Sequence, residues 1–177
     1  YLLSIIPKLF FNVYKKEYYN VITNTKYLNK LLIFLFLHIN TQAKMFVDLV
    51  AIDIIKNKDR FVLVYQFLSY IYHNRFFVKI NVSEFDKVYT ICSLFPNVSW
   101  YEREAWDLFG IYFIGNKDMR RILTDYGFQG HPLRKDFPLS GYLEVYYNEL
   151  KKRVVYEPIH LSQKYRLFEY NAPWIKN

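Results

Sequence analysis

All five glycines of this 177-residue chain lie at or beyond position 110, at Gly110, Gly115, Gly127, Gly130 and Gly141. X-Pro steps recur in the same part, at His131-Pro132, Phe137-Pro138, Glu157-Pro158 and Ala172-Pro173, each biasing its preceding residue toward extended backbone. Glycine and proline are the strongest local punctuators of regular structure. Their distribution therefore divides the chain into a folded body, residues 1–115, and a turn-rich segment, residues 116–177. The second segment keeps frequent Tyr, Phe, Leu and Trp but shows no helical or alternating stripe of useful length. It is too apolar for a disordered tail and too irregular for a second core. Extended at ~3.3 Å per residue it could reach roughly 200 Å, so it reads as an arm that becomes ordered on a partner.

The body carries clear periodicities. Tyr27, Leu28, Leu31, Leu32, Leu35 and Phe36 follow a helical stripe, and Tyr18 to Thr23 before them reads as a strand. Met45 to Ile55 and Phe61 to Tyr72 are β-branched and aromatic, joined by a hairpin-like turn at Asn57-Lys58-Asp59. Arg75 to Val82 alternates as a further strand, and Ser83 is placed to start a short helix that ends before Pro96. The order is helix, strand, helix, three strands, helix. That is an α+β fold, with helices packed on a mostly antiparallel mixed sheet and followed by a long irregular C-terminal arm.

One further helix stands out. Ser99-Trp100-Tyr101-Glu102 has the S-x-x-E form of a capping box, which places Glu102 and Glu104 in the first turn at the positive end of the helix dipole. Gly110 is the natural stop. Trp106 and Phe109 share a face, and Arg103 and Asp107 are spaced as i,i+4 partners.

Composition narrows the function. Lys and Arg number 24 against 16 Asp and Glu, a net charge of +8, of which residues 1–99 hold 12 basic and 6 acidic side chains. Such a charge biases encounters toward anionic partners, nucleic acid among them. Its positive residues are scattered singly or in pairs, however, and the Lys-, Asn- and Ile-rich, Ala-poor composition is that of an AT-rich gene. One cysteine, Cys92, excludes a disulfide framework, a four-cysteine zinc site and an iron–sulfur cluster held by this chain alone. No apolar run approaches the ~20 residues of a bilayer span, and Tyr1 to Phe11 lacks a signal-peptide cleavage pattern, as expected for a soluble or peripheral protein. No nucleotide-binding glycine loop is present. His38, His73, His131 and His160 lack metal-ligand spacing, and His131, Asp136 and Ser140 lack the nucleophile elbow of a hydrolase.

What remains is a dense mixed-sign run. Arg120, Arg121, Asp125, His131, Arg134, Lys135 and Asp136 are interleaved with Ile122, Leu123, Tyr126, Phe128, Leu133 and Phe137. Mixed charge with aromatic anchors suits a protein interface, whereas a phosphate-binding stripe is more uniformly positive. Gly127, Gly130 and Gly141 are placed to form turns needing unusual backbone angles.

The motifs Glu102-Arg103-Glu104-Ala105-Trp106-Asp107-Leu108-Phe109-Gly110, Arg120-Arg121-Ile122-Leu123-Thr124-Asp125-Tyr126-Gly127-Phe128 and Gly130-His131-Pro132-Leu133-Arg134-Lys135-Asp136-Phe137-Pro138-Leu139, with Gly141-Tyr142, resemble the 30-kilodalton subunit family of respiratory complex I. Asn40-Thr41-Gln42, Asp53, Arg60-Phe61 and Arg153-Val154-Val155-Tyr156-Glu157-Pro158 fit as well. Two places depart from the pattern. Asn116-Lys117 stands where the family usually has His-Pro, and Tyr146-Tyr147-Asn148 stands where it has Arg-Tyr-Asp. The resemblance implies a structural subunit of the hydrophilic arm, peripheral on the matrix side of the mitochondrial inner membrane. It implies no flavin, iron–sulfur cluster or quinone ligand in this chain; FMN, the clusters, NADH and ubiquinone belong to other subunits. It also implies a C-terminal extension laid over the 49-kilodalton subunit, near the iron–sulfur subunits. Interface and arm-shaping residues are expected at Glu102, Arg103, Glu104, Trp106, Asp107, Gly110, Arg120, Arg121, Asp125, Tyr126, Gly127, Gly130, His131, Arg134, Asp136 and Gly141.

Overall fold

The computed structural model describes residues 11–15, 18–168 and 174. It divides into two compact units, residues 1–137 and 138–177.

The first unit is built on a five-stranded sheet in the order β1-β2-β5-β4-β3, formed by β1 (Phe11–Lys15), β2 (Tyr19–Thr23), β3 (Met45–Asp53), β4 (Phe61–Ser69) and β5 (Asn74–Val82). Only β2 and β5 run parallel. The long hairpins follow from the sequence. Apolar, β-branched strands flank turns at Asn57-Lys58-Asp59 and at Tyr70 to His73. Lacking glycine, the second turn places His73 at φ 51°, in the left-handed region. Two helices, α1 (Leu28–Leu37) and α2 (Val98–Phe109), cover one face of the sheet. Leu28, Leu31, Leu32 and Leu35 of α1 are buried with Leu63, Tyr65, Val78 and Ile80 of the sheet. Phe46 meets Phe67, Phe95 and Tyr101 ring to ring at 5.2–6.2 Å. This is the expected α+β layering.

Several local expectations give way. Phe11–Lys15 is a strand, so no helix stands directly before β2; residues 1–10 lie outside the described residues. Ser83 does not start a helix. Its amide donates to Asp86 Oδ2, a turn closes, and the chain enters the short strand β6 (Lys87–Tyr89), paired parallel with β7 (Tyr112–Ile114). The capping box is also absent. Helix α2 begins at Val98, so Ser99 and Glu102 already lie inside it, and Glu102 is drawn into the core by stronger partners. Gly110 does end the helix, at φ 80° in the left-handed conformation.

The second unit contains an antiparallel hairpin, β8 (Leu143–Asn148) and β9 (Arg153–Pro158), within the region expected to be irregular. Its register places Leu143, Val145 and Tyr147 opposite Pro158, Tyr156 and Val154. Paired residues share a face, so the hairpin has one wholly apolar side. Alternation this short, broken by Glu and Asn, was hidden among the turn residues around it.

Candidate functional site: a charged clasp on the end of helix α2

The mixed-sign run is brought together with the C-terminal end of α2. The last turn of any helix leaves backbone carbonyls without intrahelical partners. Here Gly110 N–H donates to Trp106 O at 2.8 Å, His131 Nδ1 lies 3.0 Å from Asp107 O, Leu133 N–H donates to Leu108 O at 3.1 Å, and Arg134 Nε donates to Phe109 O at 2.6 Å. Asp107 O can only accept, so the ring nitrogen facing it carries a proton. Burial and the neighbouring Arg134 and Arg121 hold the imidazole below its ordinary pKa, against the pull of that carbonyl.

Asp107, with no solvent-exposed surface, is the centre of the clasp. Its Oδ2 accepts the consecutive backbone N–H groups of Ile122, Leu123 and Thr124 at 3.2, 2.9 and 3.0 Å. Its Oδ1 accepts Thr124 Oγ1 at 2.7 Å and Arg121 Nη1 at 2.8 Å. Burial opposes the charge, but these donors outweigh it and hold the carboxyl far below the usual carboxylate range. Arg121 also donates to Gly130 O at 3.0 Å and lies 5.5 and 5.8 Å from the ring centres of Trp106 and Phe128. Arg103, expected to pair with Asp107 along the helix, turns instead to Arg120 O at 3.0 Å and lies 4.9 Å from the Trp100 ring. A cradle of backbone amides plus Arg121 offers Asp107 more hydrogen bonds than a single i,i+4 ion pair.

A second network ties the end of the run to the sheet. Asp53, buried at the end of β3, takes both Arg60 Nε and Nη2 at 2.9 Å and also Lys135 N–H at 2.9 Å. Arg60 Nη2 reaches Asp136 Oδ1 at 2.9 Å. Arg134 Nη1 reaches Glu84 Oε1 at 2.6 Å, and both guanidinium groups lie within 5.4 Å of the Phe61 ring centre. Arg60 holds Asp53 and Asp136 below the ordinary carboxylate range.

Glu102 organises the other side of α2. Fully buried, it accepts Thr90 Oγ1 at 2.6 Å, Asn116 Nδ2 at 2.9 Å, Ile91 N–H at 3.1 Å and the Cys92 thiol at 3.5 Å. Burial first, and then the Glu102 charge, push the thiol pKa up, which makes Cys92 a poor nucleophile. Asn116, one of the two departures, is thus a donor to a buried carboxylate while its own oxygen accepts Ser99 Oγ and Asp118 N–H, both at 3.2 Å.

Of the remaining expected residues, Arg120 pairs with Asp118 at 2.8 Å on the surface. Asp125 Oδ1 accepts the Tyr126 amide, and the Tyr126 side chain is 97% exposed. The Glu104 side chain makes no hydrogen bond or ion pair among the described residues. A Cβ at Gly110 would come within 2.7 Å of Arg134 and His131, and one at Gly130 within 2.8 Å of Phe137, so the clasp closes directly over both glycines. Around Gly127 the space is open. Gly141, at φ 71°, belongs to the second unit. Sequence reasoning missed Asp53, Arg60, Glu84, Thr90 and Asn116 as members of the site. A signal existed for the first two, opposite charges flanking one hairpin turn; for Glu84 there was none.

Among the described residues no group of three or more His, Cys, Asp or Glu could hold a metal ion, and no helix is long and apolar enough to cross a membrane. The model of the respiratory-chain NADH dehydrogenase 30 kDa subunit matches residues 21–143, and the chain belongs to that family. NADH dehydrogenase [ubiquinone] iron-sulfur protein 3 of Arabidopsis thaliana is 51% identical over 152 residues, covering 86% of this chain and 80% of the relative. NADH-ubiquinone oxidoreductase subunit 9 of Reclinomonas americana is 50% identical over 137 residues, covering 77% and 67%. A chain in the structure of the membrane-bound sulfane sulfur reductase, an archaeal respiratory membrane complex, shares the fold at TM-score 0.66 and 22% identity, covering 78% of this chain and 82% of that one. The relatives' name carries the words iron-sulfur. One cysteine, hydrogen-bonded to a buried glutamate, does not fit the ligand set of a cluster.

Proposed function

We propose that this chain is a structural and assembly subunit of the hydrophilic arm of the proton-pumping NADH:ubiquinone oxidoreductase, supporting electron transfer to ubiquinone without binding a redox centre itself. The observation that carries the reading is the engagement of its charged residues with one another. Asp107, Glu102 and Asp53 are buried and saturated by donors of this same chain, so none is left to act on a substrate. Flavin, clusters, NADH and ubiquinone are then handled by other subunits.

The second unit supplies the contact with a partner. Leu143, Val145, Tyr147, Val154 and Tyr156 on one face of the hairpin are each at least half exposed, and Leu167 and Phe168 farther on are more so. A two-stranded hairpin is marginal in water and needs a further layer. In our reading residues 138–177 lie over the 49-kilodalton subunit beside the iron–sulfur subunits, on the matrix side of the inner membrane. The run from Arg120 to Asp136 shapes the start of that arm. Truncation after Phe137 tests this: the shortened chain should fold but fail to join the complex on a native gel. Normal assembly of the truncated chain would refute the role of the arm.

A further inference from the structure

The five-stranded sheet has two faces, and the helices cover one. Register assigns Met45, Asp48, Val50 and Ile52 of β3, Val62, Val64, Gln66 and Leu68 of β4, Arg75, Phe77, Lys79 and Asn81 of β5, and Asn20 and Ile22 of β2 to the other. An antiparallel sheet with a wet face normally alternates apolar inside with polar outside. β4 does not: Phe61 to Tyr65 is an unbroken apolar run, the pattern of a strand covered on both faces. Val64 at the centre of this face is buried, yet Met45, Val50 and Ile52 are 40–48% exposed, and Val62 and Leu68 are half-buried. The polar side chains here are the amides Asn20, Gln66 and Asn81, the cations Arg75 and Lys79, and one carboxylate, Asp48. Lys79 has the Tyr14 hydroxyl as its partner at 3.4 Å, Arg75 forms no ion pair among the described residues, and the Asp48 carboxylate accepts the Leu49 amide. No acidic residue occurs from 18 to 47 or from 61 to 83.

We propose that this outer sheet face docks a second subunit of the complex through an apolar element carrying a carboxylate opposite Lys79 and Arg75. The inference rests on the reading of the chain as one member of a hetero-oligomer and adds an interface separate from the arm. Size decides against a second copy of this chain. The nine-residue strands β3 to β5 outline roughly 30 Å by 15 Å, and the five-residue β1 and β2 add roughly 150 Å², for about 600 Å² in all. A stable dimer needs about 800 Å² per partner, so this face suffices only beside another contact between the same assemblies. Charge gives the chemistry: Lys79 and Arg75 stand together on β5, two strands from the face's one carboxylate, Asp48, which accepts the Leu49 amide, so an acidic side chain on the occupant complements them.

The test places photoreactive benzoylphenylalanine at Val62 in the assembled complex. The expected adduct is with a peptide of another subunit that contains Asp or Glu. Adducts with residues 1–17 or 138–177 of the same chain, with lipid or with a second copy would overturn the proposal, as would no adduct from a chain present in the complex. A chain absent from the complex altogether would overturn the subunit reading with it. Independently, Lys79→Glu should weaken salt-resisted retention of the chain in the complex about tenfold, with Lys79→Arg near wild type. Equal retention of all three would refute the charge complementarity.

Discussion

Replacing Asp107 by Asn keeps the shape of the clasp and removes its charge. The carboxylate accepts five hydrogen bonds, three from consecutive backbone amides, one from Thr124 and one from Arg121. An amide at that position turns its NH2 toward donors on one side, whichever way it is oriented, and leaves Arg121 facing no anion. Removing one member of a buried pair costs roughly 3–5 kcal/mol. Arg121 retains Gly130 O and two aromatic rings, which points to the lower end, about 3 kcal/mol. At about 2–4 °C per kcal/mol for a chain of this length, the melting temperature should fall by roughly 6–12 °C. Thermal unfolding of the full chain followed by circular dichroism reads the shift, and hydrogen exchange should show lost protection at the amides of 122–124. The carboxyl pKa lies well below its unfolded value, so its stabilisation is complete above about pH 4 and is lost as the pH falls further. The Asn variant should therefore show a shallower acid slope than wild type. A melting shift under 2 °C, with the acid slope unchanged, would refute the account of the clasp.

Other expectations follow from the same geometry. His131 is held below its ordinary pKa, so its contribution to stability is present above about pH 6.5 and lost as the pH falls; His131→Asn should flatten the stability profile below about pH 6.5, as read by urea unfolding. Gly110→Ala forces a Cβ against His131 and Arg134 at a left-handed residue and should destabilise the fold by about 1–3 kcal/mol, measured by the same unfolding assay. Glu102→Gln should be destabilising, and it should make the Cys92 thiol more reactive to alkylation by removing the adjacent negative charge.

Much of this was readable in the residues. The strands of the two long hairpins and helix α1 declared themselves by period, and Gly110 marked the helix end. The residues of the clasp were visible as a mixed-sign run, but their partners were not. Glu102 looked like a capping residue because S-x-x-E is a local pattern; its actual donors, Thr90 and Asn116, lie 12 and 14 positions away in sequence. Arg103 and Asp107 satisfied the i,i+4 rule and still chose other partners, since both are buried against the 120–124 segment, whose backbone amides reach Asp107 and whose Arg120 carbonyl accepts Arg103. The hairpin of the second unit was obscured by its glycine- and proline-rich surroundings. The apolar outer face of the sheet appears only once register assigns Val62, Val64 and Leu68 to one side.

The measurement that bears most directly on the central claim is a native gel of the respiratory membranes, stained for NADH dehydrogenase activity and probed for this chain. The chain should migrate with the active band, together with peptides of the 49-kilodalton and iron–sulfur subunits. Its recovery only as a free 21.7 kDa monomer, with the active band lacking it, would contradict the account.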